Sequence, residues 1–305
     1  MNILETIGNT PVVELQKLWN STATGIRILV KLEGANPGGS VKDRPALFMI
    51  REAIRVGALT KEKTILEPTS GNTGIGMAMV AAALGYKIKV IMPACVSAER
   101  KAVMAAFGAE VELTPGCDRT DGAIRRAHHI IADFSDQYFM PNQFSNEANW
   151  RSHYSTTGPE IIKDTNGDVT FFVAGMGTTG TLMGCSRYFR ENNHSTKVVG
   201  VEPSLNHRIQ GLKNMNESIV PEIYVPSLLD QKITCSDEDA FETVRDLAIK
   251  EGVFCGISSG AAVKAAIELA RDLPRGSTVV ALLPDRGDRY LSTEVFRSIC
   301  AECPP

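Results

Sequence analysis

The sequence predicts an α/β protein of two domains built on twisted, mostly parallel sheets. Two observations carry this reading. Between about residues 62 and 132, short apolar runs alternate with segments of helical periodicity, and after the loop P-N-Q-F-S-N-E-A-N-W (141–150) the alternation resumes and runs to residue 283. Strands that alternate with helices read as βαβ units, whose crossovers make neighbouring strands parallel. A chain of 305 residues with 43% hydrophobic content can bury one large core or two medium ones.

The elements follow in order. P-V-V-E-L (11–15) and I-R-I-L-V-K-L (26–32) read as a hairpin. T-I-L-E (64–67) leads to a helix from Ile75 to Leu84, K-I-K-V-I-M (87–92) to one from Ala98 to Phe107, and A-E-V-E-L (109–113) to one from Asp121 to Ala132. The second half gives V-T-F-F-V-A (169–174), a helix over 180–191 and the strand K-V-V-G-V-E (197–202). A long loop over 203–232, helices over 237–251 and 259–272, and the strand T-V-V-A-L-L (278–283) complete it. No internal repeat or low-complexity segment interrupts the pattern.

Composition narrows the function classes. The net charge is −3 with no run of like charge, so nothing points to nucleic acid or to an anionic membrane, and small molecules are the expected partners. M-N-I-L-E-T-I-G lacks a basic flank and a signal-length apolar core, and the most apolar stretch, Ile75 to Leu84, is too short to span a bilayer; the cytoplasm is the expected location. Seven scattered cysteines suit reduced thiols rather than a disulfide framework. The C-x-x-C pair Cys300 and Cys303 finds no second ligand pair among five histidines, so no metal is expected.

In open α/β sheets, ligands sit at the carboxyl ends of strands, so the loops there carry the functional question. Four stand out. In N-P-G-G-S-V-K-D-R (36–44), Lys42 can be a solvated charge, a phosphate contact or an amine that forms a Schiff base with an aldehyde cofactor. In P-T-S-G-N-T-G (68–74), Thr69, Ser70, Asn72 and Thr73 crowd a helix start, as a cap or as an anion grip. In G-M-G-T-T-G-T (175–181), Gly177 and Gly180 allow close backbone approach while Thr178, Thr179 and Thr181 offer hydroxyls, a combination suited to phosphate at a helix N-terminus. The string does not match G-x-G-x-x-G in full, and Glu202 is the best ribose partner for a dinucleotide alternative. In G-I-S-S-G-A-A (256–262), after a strand-like V-F-C-G-I, a serine can cap the next helix. The letters also fit the G-x-S-x-G elbow, but no histidine follows His207 to complete a triad.

Taken together, these four motifs, in this order and spacing, resemble the pyridoxal-phosphate-dependent cysteine synthases, from I-G-N-T-P (7–11) to R-Y-L-S-T (289–293). M-G-T-T-G-T and D-R-G-D-R-Y-L-S-T resemble the B-type branch, O-acetylserine sulfhydrylase B. The resemblance implies fold type II: two three-layer α/β domains, a smaller mobile one over 36–145 and a larger phosphate-binding one made of 1–35 and 146–305. It implies that Lys42 holds the cofactor's aldehyde and removes the substrate's α-proton, and that Asn72 meets the ring hydroxyl. Gly177, Thr178, Thr179, Gly180 and Thr181 would cradle the phosphate, and Ser258 would face the ring nitrogen. Thr69, Ser70, Thr73 and Gln143 would hold the substrate carboxylate, and Lys213 would contact the leaving group or the sulfur donor.

The implied reaction is β-replacement. O-acetyl-L-serine or O-phospho-L-serine loses its leaving group to give an aminoacrylate, to which sulfide or thiosulfate adds, yielding L-cysteine. Closure of the smaller domain would exclude water. The resemblance also implies a homodimer, with serine acetyltransferase or a sulfur-carrier protein as possible protein partners. Cystathionine β-synthase and threonine or serine dehydratase share the fold and are the nearest alternatives. A non-catalytic dinucleotide- or partner-binding protein is the alternative of another class.

Overall fold

The structure, a computed structural model, describes residues 1–69, 71–96 and 98–296. Ser70 and the Cys300–Cys303 pair lie outside the described residues. The chain forms two compact units, one of Met1–Ile7 with Asn36–Asn149 and one of Gly8–Ala35 with Trp150–Pro305. The first seven residues and residues 146–149 therefore belong with the smaller unit, where the sequence reading had put them in the larger. Packing explains the difference: Leu4 and Ala148 are buried in the smaller unit's core, and Ile7 packs against it.

In chain order the strands begin with β1 (Val12–Glu14) and β2 (Arg27–Leu32), then β3 (Thr64–Pro68), β4 (Ile88–Pro93), β5 (Glu110–Thr114) and β6 (Tyr138–Phe139). They end with β7 (Phe171–Gly175), β8 (Lys197–Pro203), β9 (Gln231–Cys235) and β10 (Thr278–Leu283). The smaller unit orders its strands β5-β4-β3-β6, all parallel. Its helices are α1 (Asp43–Arg55), α2 (Asn72–Leu84), α3 (Ala98–Ala106) and α4 (Arg119–Asp133). Alternate strand residues feed opposite cores: Ile65 and Val90 join α1, α2 and α3, whereas Leu66 and Ile91 join α4. That split makes three layers.

The larger unit orders its strands β1-β2-β10-β7-β8-β9, parallel except for the β1–β2 hairpin. Its helices are α5 (Gly158–Asp164), α6 (Gly180–Glu191), α7 (Asp237–Asp246) and α8 (Ile257–Ala270). Val173, Val201, Val279 and Ala281 face the core made with α7 and α8. Phe172 points to the other face, where its ring meets Phe189 of α6 at 5.9 Å. Two expectations change. V-F-C-G-I is not a strand: Cys255 makes one isolated bridge to Arg286, because the sheet positions beside β10 are taken by β2 and β7. Conversely, Gln231–Cys235, at the end of the expected loop, is the edge strand β9.

Both sheets contain a point where strand order reverses. In the smaller unit the chain winds outward through β3, β4 and β5 and then returns to the other side of β3 as β6. In the larger it winds out through β7, β8 and β9 and returns beside β7 as β10. Such switch points open a crevice at the strand carboxyl ends, which is where open α/β sheets bind ligands. Among the described residues no helix is long and apolar enough to cross a membrane.

A buried ion cluster ties β2 to α5. Lys31 is fully buried, and its Nζ lies 3.0 Å from Glu160 and 3.3 Å from Asp164 while donating to the Thr10 carbonyl at 3.0 Å. Removing one partner of such a cluster strands the other charges away from water, so Lys31→Met is expected to destabilise the protein by about 3–5 kcal/mol, read from the urea unfolding midpoint.

Candidate active site

The loop after β7 and the loop after β3, each at a switch point, hold most of the residues singled out in the sequence. Thr179 begins α6 in the left-handed region at φ 66°, which a side-chain-bearing residue rarely adopts. It is buried, and its Oγ1 has no hydrogen-bond partner among the described residues. A strained backbone presenting an unsatisfied hydroxyl at the start of a twelve-residue helix is the construction of an anion site. Thr178 Oγ1 accepts from the Gly180 N–H at 3.4 Å. Gly177 cannot carry a side chain, since a Cβ there would meet the Gly211 carbonyl oxygen at 2.6 Å.

Two further residues support this cradle: His153, which sequence reasoning missed, and Glu202, to which it gave another role. His153 is buried with Nε2 3.3 Å from Thr181 Oγ1 and Nδ1 2.8 Å from Thr157 Oγ1, so it orients the last threonine of the loop. No spacing signal connects positions 153 and 181. Glu202, the candidate ribose partner, is instead occupied within the protein: Oε1 accepts from the Met215 N–H at 2.8 Å and Oε2 pairs with Lys232 at 3.3 Å. It thereby anchors the loop carrying Lys213, whose own N–H donates to the Met176 carbonyl at 2.7 Å. Lys213 therefore lies beside the threonine loop.

Ser258 is buried in the first turn of α8. It is not a cap, because Gly256 occupies that position without a side-chain bond. Just upstream, Asp285 packs on Gly256, and Asp285 Oδ2 accepts from the Tyr290 phenol Oη at 2.6 Å.

In the smaller unit, Lys42 is half-buried and starts α1, with its N–H donated to Ser40 Oγ at 3.2 Å. The surface reading fails for its neighbours: Asp43 and Arg44 are buried, and Asp43 Oδ2 accepts from the Gly38 N–H, folding the glycine loop back onto α1. Gly76 of α2 brings the Lys42 backbone close, as a Cβ there would lie 3.1 Å from the Lys42 carbonyl oxygen. Asn72 begins α2 one turn earlier, so Lys42 and Asn72 share a neighbourhood in this unit. Gly71, which has no side chain to offer, occupies the cap position of α2. Thr69 Oγ1 accepts from the Gly71 N–H at 3.1 Å.

Gln143, in the loop after β6, joins this group across the switch point. Its Oε1 accepts from Thr73 Oγ1 at 2.8 Å, and its Nε2 donates to Glu67 Oε1 at 2.7 Å. Burial pushes the Glu67 carboxyl up to about 8, while the hydrogen bond from Gln143 pulls it the other way. Elsewhere burial pushes the Cys235 and Cys255 thiols up to about 12, which makes them inert core residues.

Known proteins match this chain over nearly its whole length. The family model described as "Pyridoxal-phosphate dependent enzyme" matches residues 3–285. The chain belongs to that family. It is 47% identical to cysteine synthase B of Salmonella typhimurium over 297 residues, covering 97% of this chain and 96% of the relative. Among solved structures, O-ureido-L-serine synthase superposes with a TM-score of 0.91 at 40% identity, over 97% of this chain and 95% of that one. Cysteine synthase from Entamoeba histolytica gives 0.90 at 39%, over 97% and 90%.

The residues present fit pyridoxal phosphate. Its phosphate needs the orphaned Thr179 hydroxyl and the side-chain-free approach at Gly177, and its aldehyde needs an amine, which Lys42 offers. Gly177→Ala is expected to weaken pyridoxal phosphate at least about tenfold, seen in titrations of the cofactor's visible band, with the circular dichroism of the fold retained. Glu67 gives a second prediction. The unfolded chain releases this proton near the ordinary value of 4.5 and the folded chain near 8, so between those values the folded state binds the extra proton. Stability therefore falls as pH rises through that window, by at most about 1.4 kcal/mol per pH unit. Glu67→Gln has no proton to lose, and its urea midpoint should decline less than that of wild type between about pH 5 and 8.

Proposed function

We propose that this chain is a B-type cysteine synthase, replacing the activated hydroxyl of an O-acetylated or O-phosphorylated serine with sulfur. The strongest support is the likeness to cysteine synthase B over nearly all of both chains, a span that includes every loop at issue. Pyridoxal phosphate, when bound, supplies an electron sink for the bonds at the substrate's α-carbon. The remaining work falls to side chains. Lys42 Nζ holds the cofactor covalently and, once substrate displaces it, takes the α-proton. Gly177, Thr178, Thr179, Gly180 and Thr181 hold the phosphate at the positive end of α6. Asn72 meets the ring hydroxyl.

Ser258 meets the ring nitrogen. A neutral hydroxyl there stabilises a protonated ring less than a carboxylate would, which suits elimination, because the leaving group carries the electrons away. Thr69, Ser70, Thr73 and Gln143 hold the substrate carboxylate near the N-terminus of α2. Lys213, anchored beside the threonine loop, contacts the leaving group or the sulfur donor. The same reading makes the protein a cytoplasmic homodimer. A second reading keeps the serine half of the reaction and changes only the incoming nucleophile, as the solved neighbour named O-ureido-L-serine synthase suggests.

Product analysis tests the reading: incubation with O-acetylserine or O-phosphoserine should yield L-cysteine with sulfide, or S-sulfo-L-cysteine with thiosulfate, from at least one pairing, and neither product from any pairing would overturn it. Lysine offers a phosphate a compact point charge. Lys213→Ala should therefore lower kcat/KM for O-phosphoserine about tenfold more than for O-acetylserine, and an unchanged preference would remove Lys213 from the site.

A further inference from the structure

Glu67 is an acid that the chemistry above does not use, held where an acid is costly. It lies near the end of β3, fully buried, and its Oε2 has no hydrogen-bond partner among the described residues. A buried polar atom left unsatisfied costs about 1–3 kcal/mol, so a carboxyl at this position calls for a compensating role. Among the described residues its one side-chain partner is Gln143. The link from Glu67 Oε1 to Gln143 Nε2 (2.7 Å) and from Gln143 Oε1 to Thr73 Oγ1 (2.8 Å) forms a short relay. It joins the end of β3, the first turn of α2 and the loop after β6. Asn149 Nδ2 fixes the backbone end by donating to the Gln143 carbonyl at 2.7 Å.

The two ends of a glutamine amide have nearly the same shape, so packing alone does not decide which end faces which neighbour. Thr73 does not decide it either, because a hydroxyl can give or receive. Glu67 does when its proton sits on Oε2, the oxygen without a partner among the described residues: Oε1 can then only accept, which draws the NH2 end of Gln143 to it and sends the carbonyl to Thr73. Among the described residues one amide hydrogen of Gln143 is then used and one is left over. Reversed, Gln143 would turn a lone pair toward Glu67 and have its amide hydrogens on the side of Thr73.

We propose that Glu67 is a positioning residue for substrate: it fixes the amide of Gln143, and with it the hydroxyl of Thr73, in the orientation that leaves Gln143 a donor for the substrate carboxylate. The inference rests on the reading of Thr73 and Gln143 as carboxylate-binding residues. Burial raises the Glu67 carboxyl against the lowering effect of the hydrogen bond from Gln143, and no charged side chain takes part. At neutral pH the acid therefore keeps its proton, and no buried negative charge opposes an incoming carboxylate.

A double-mutant cycle tests it. The dissociation constant of L-serine for the cofactor-loaded enzyme, read from the cofactor's visible absorbance, is measured for wild type, Glu67→Leu, Gln143→Ala and the double variant. Each single substitution should weaken L-serine about tenfold, and the double should be no weaker than Gln143→Ala alone, because Glu67 acts through Gln143. An equal loss from Glu67→Leu in both backgrounds overturns the proposal. If Glu67→Leu does not fold, Glu67→Gln decides. It keeps an acceptor toward Gln143 and should recover L-serine affinity to within about threefold and hold it at high pH, whereas wild type weakens above about pH 8 as the acid ionises. The same alkaline loss in both proteins overturns the proposal. L-serine binding needs no sulfur donor, so a failure of the sulfur chemistry leaves this readout intact and the two failures are told apart.

Discussion

Parallel strands end together. In each unit of this protein that constraint gathers the loops that follow the strands along one edge of the sheet, where helix N-termini and unpaired backbone N–H groups also lie. Reversal of strand order then parts two of those loops at a single place. The threonine loop after β7 and the hydroxyl-rich loop after β3 sit at the two reversals, and Gln143 reaches the second from the far side through β6. The chemistry of both units depends on this arrangement.

Buried polar groups mark where the fold departs from simple packing. Lys31, Asp43, Arg44 and Glu67 are all removed from water, at a cost that apolar residues would not incur. Lys31 is matched by two carboxylates and a carbonyl, and Asp43 turns the glycine loop onto α1. Glu67 and Thr179 each keep one oxygen without a partner among the described residues, and both stand at switch-point loops. In a pyridoxal-phosphate-dependent family, unsatisfied polar atoms at those positions are what the proposed cofactor site and substrate relay would use.

Much of this was legible beforehand. The alternation of apolar runs and helical periodicity located most of the strands, because a parallel sheet buried on both faces is written as short, continuous hydrophobic segments. The glycine and threonine loops were legible because few residue types can bring backbone close to an anion. What was hidden involved partners far apart in sequence or an edge strand with a weak pattern. Q-K-I-T-C carries a single strongly apolar residue in its middle and pairs on one side only, so nothing in its periodicity separated β9 from the loop before it. V-F-C-G-I had the strand composition but no free neighbour in the sheet. His153 gave no sign of its contact with Thr181, 28 residues away.

The sequence by itself determined the fold class and the residue types at each strand-ending loop: an amine at Lys42, hydroxyls at 178, 179 and 181, an amide at Gln143. Those follow from periodicity and from side-chain chemistry, which are local. Only the tertiary structure decided how they are held. It gave the first seven residues to the smaller unit, turned Glu202 from a ligand candidate into a loop anchor, and buried Glu67 against Gln143. Burial and hydrogen-bond partnership are set by which segments the sheet brings side by side, and strand order is a property of the whole chain.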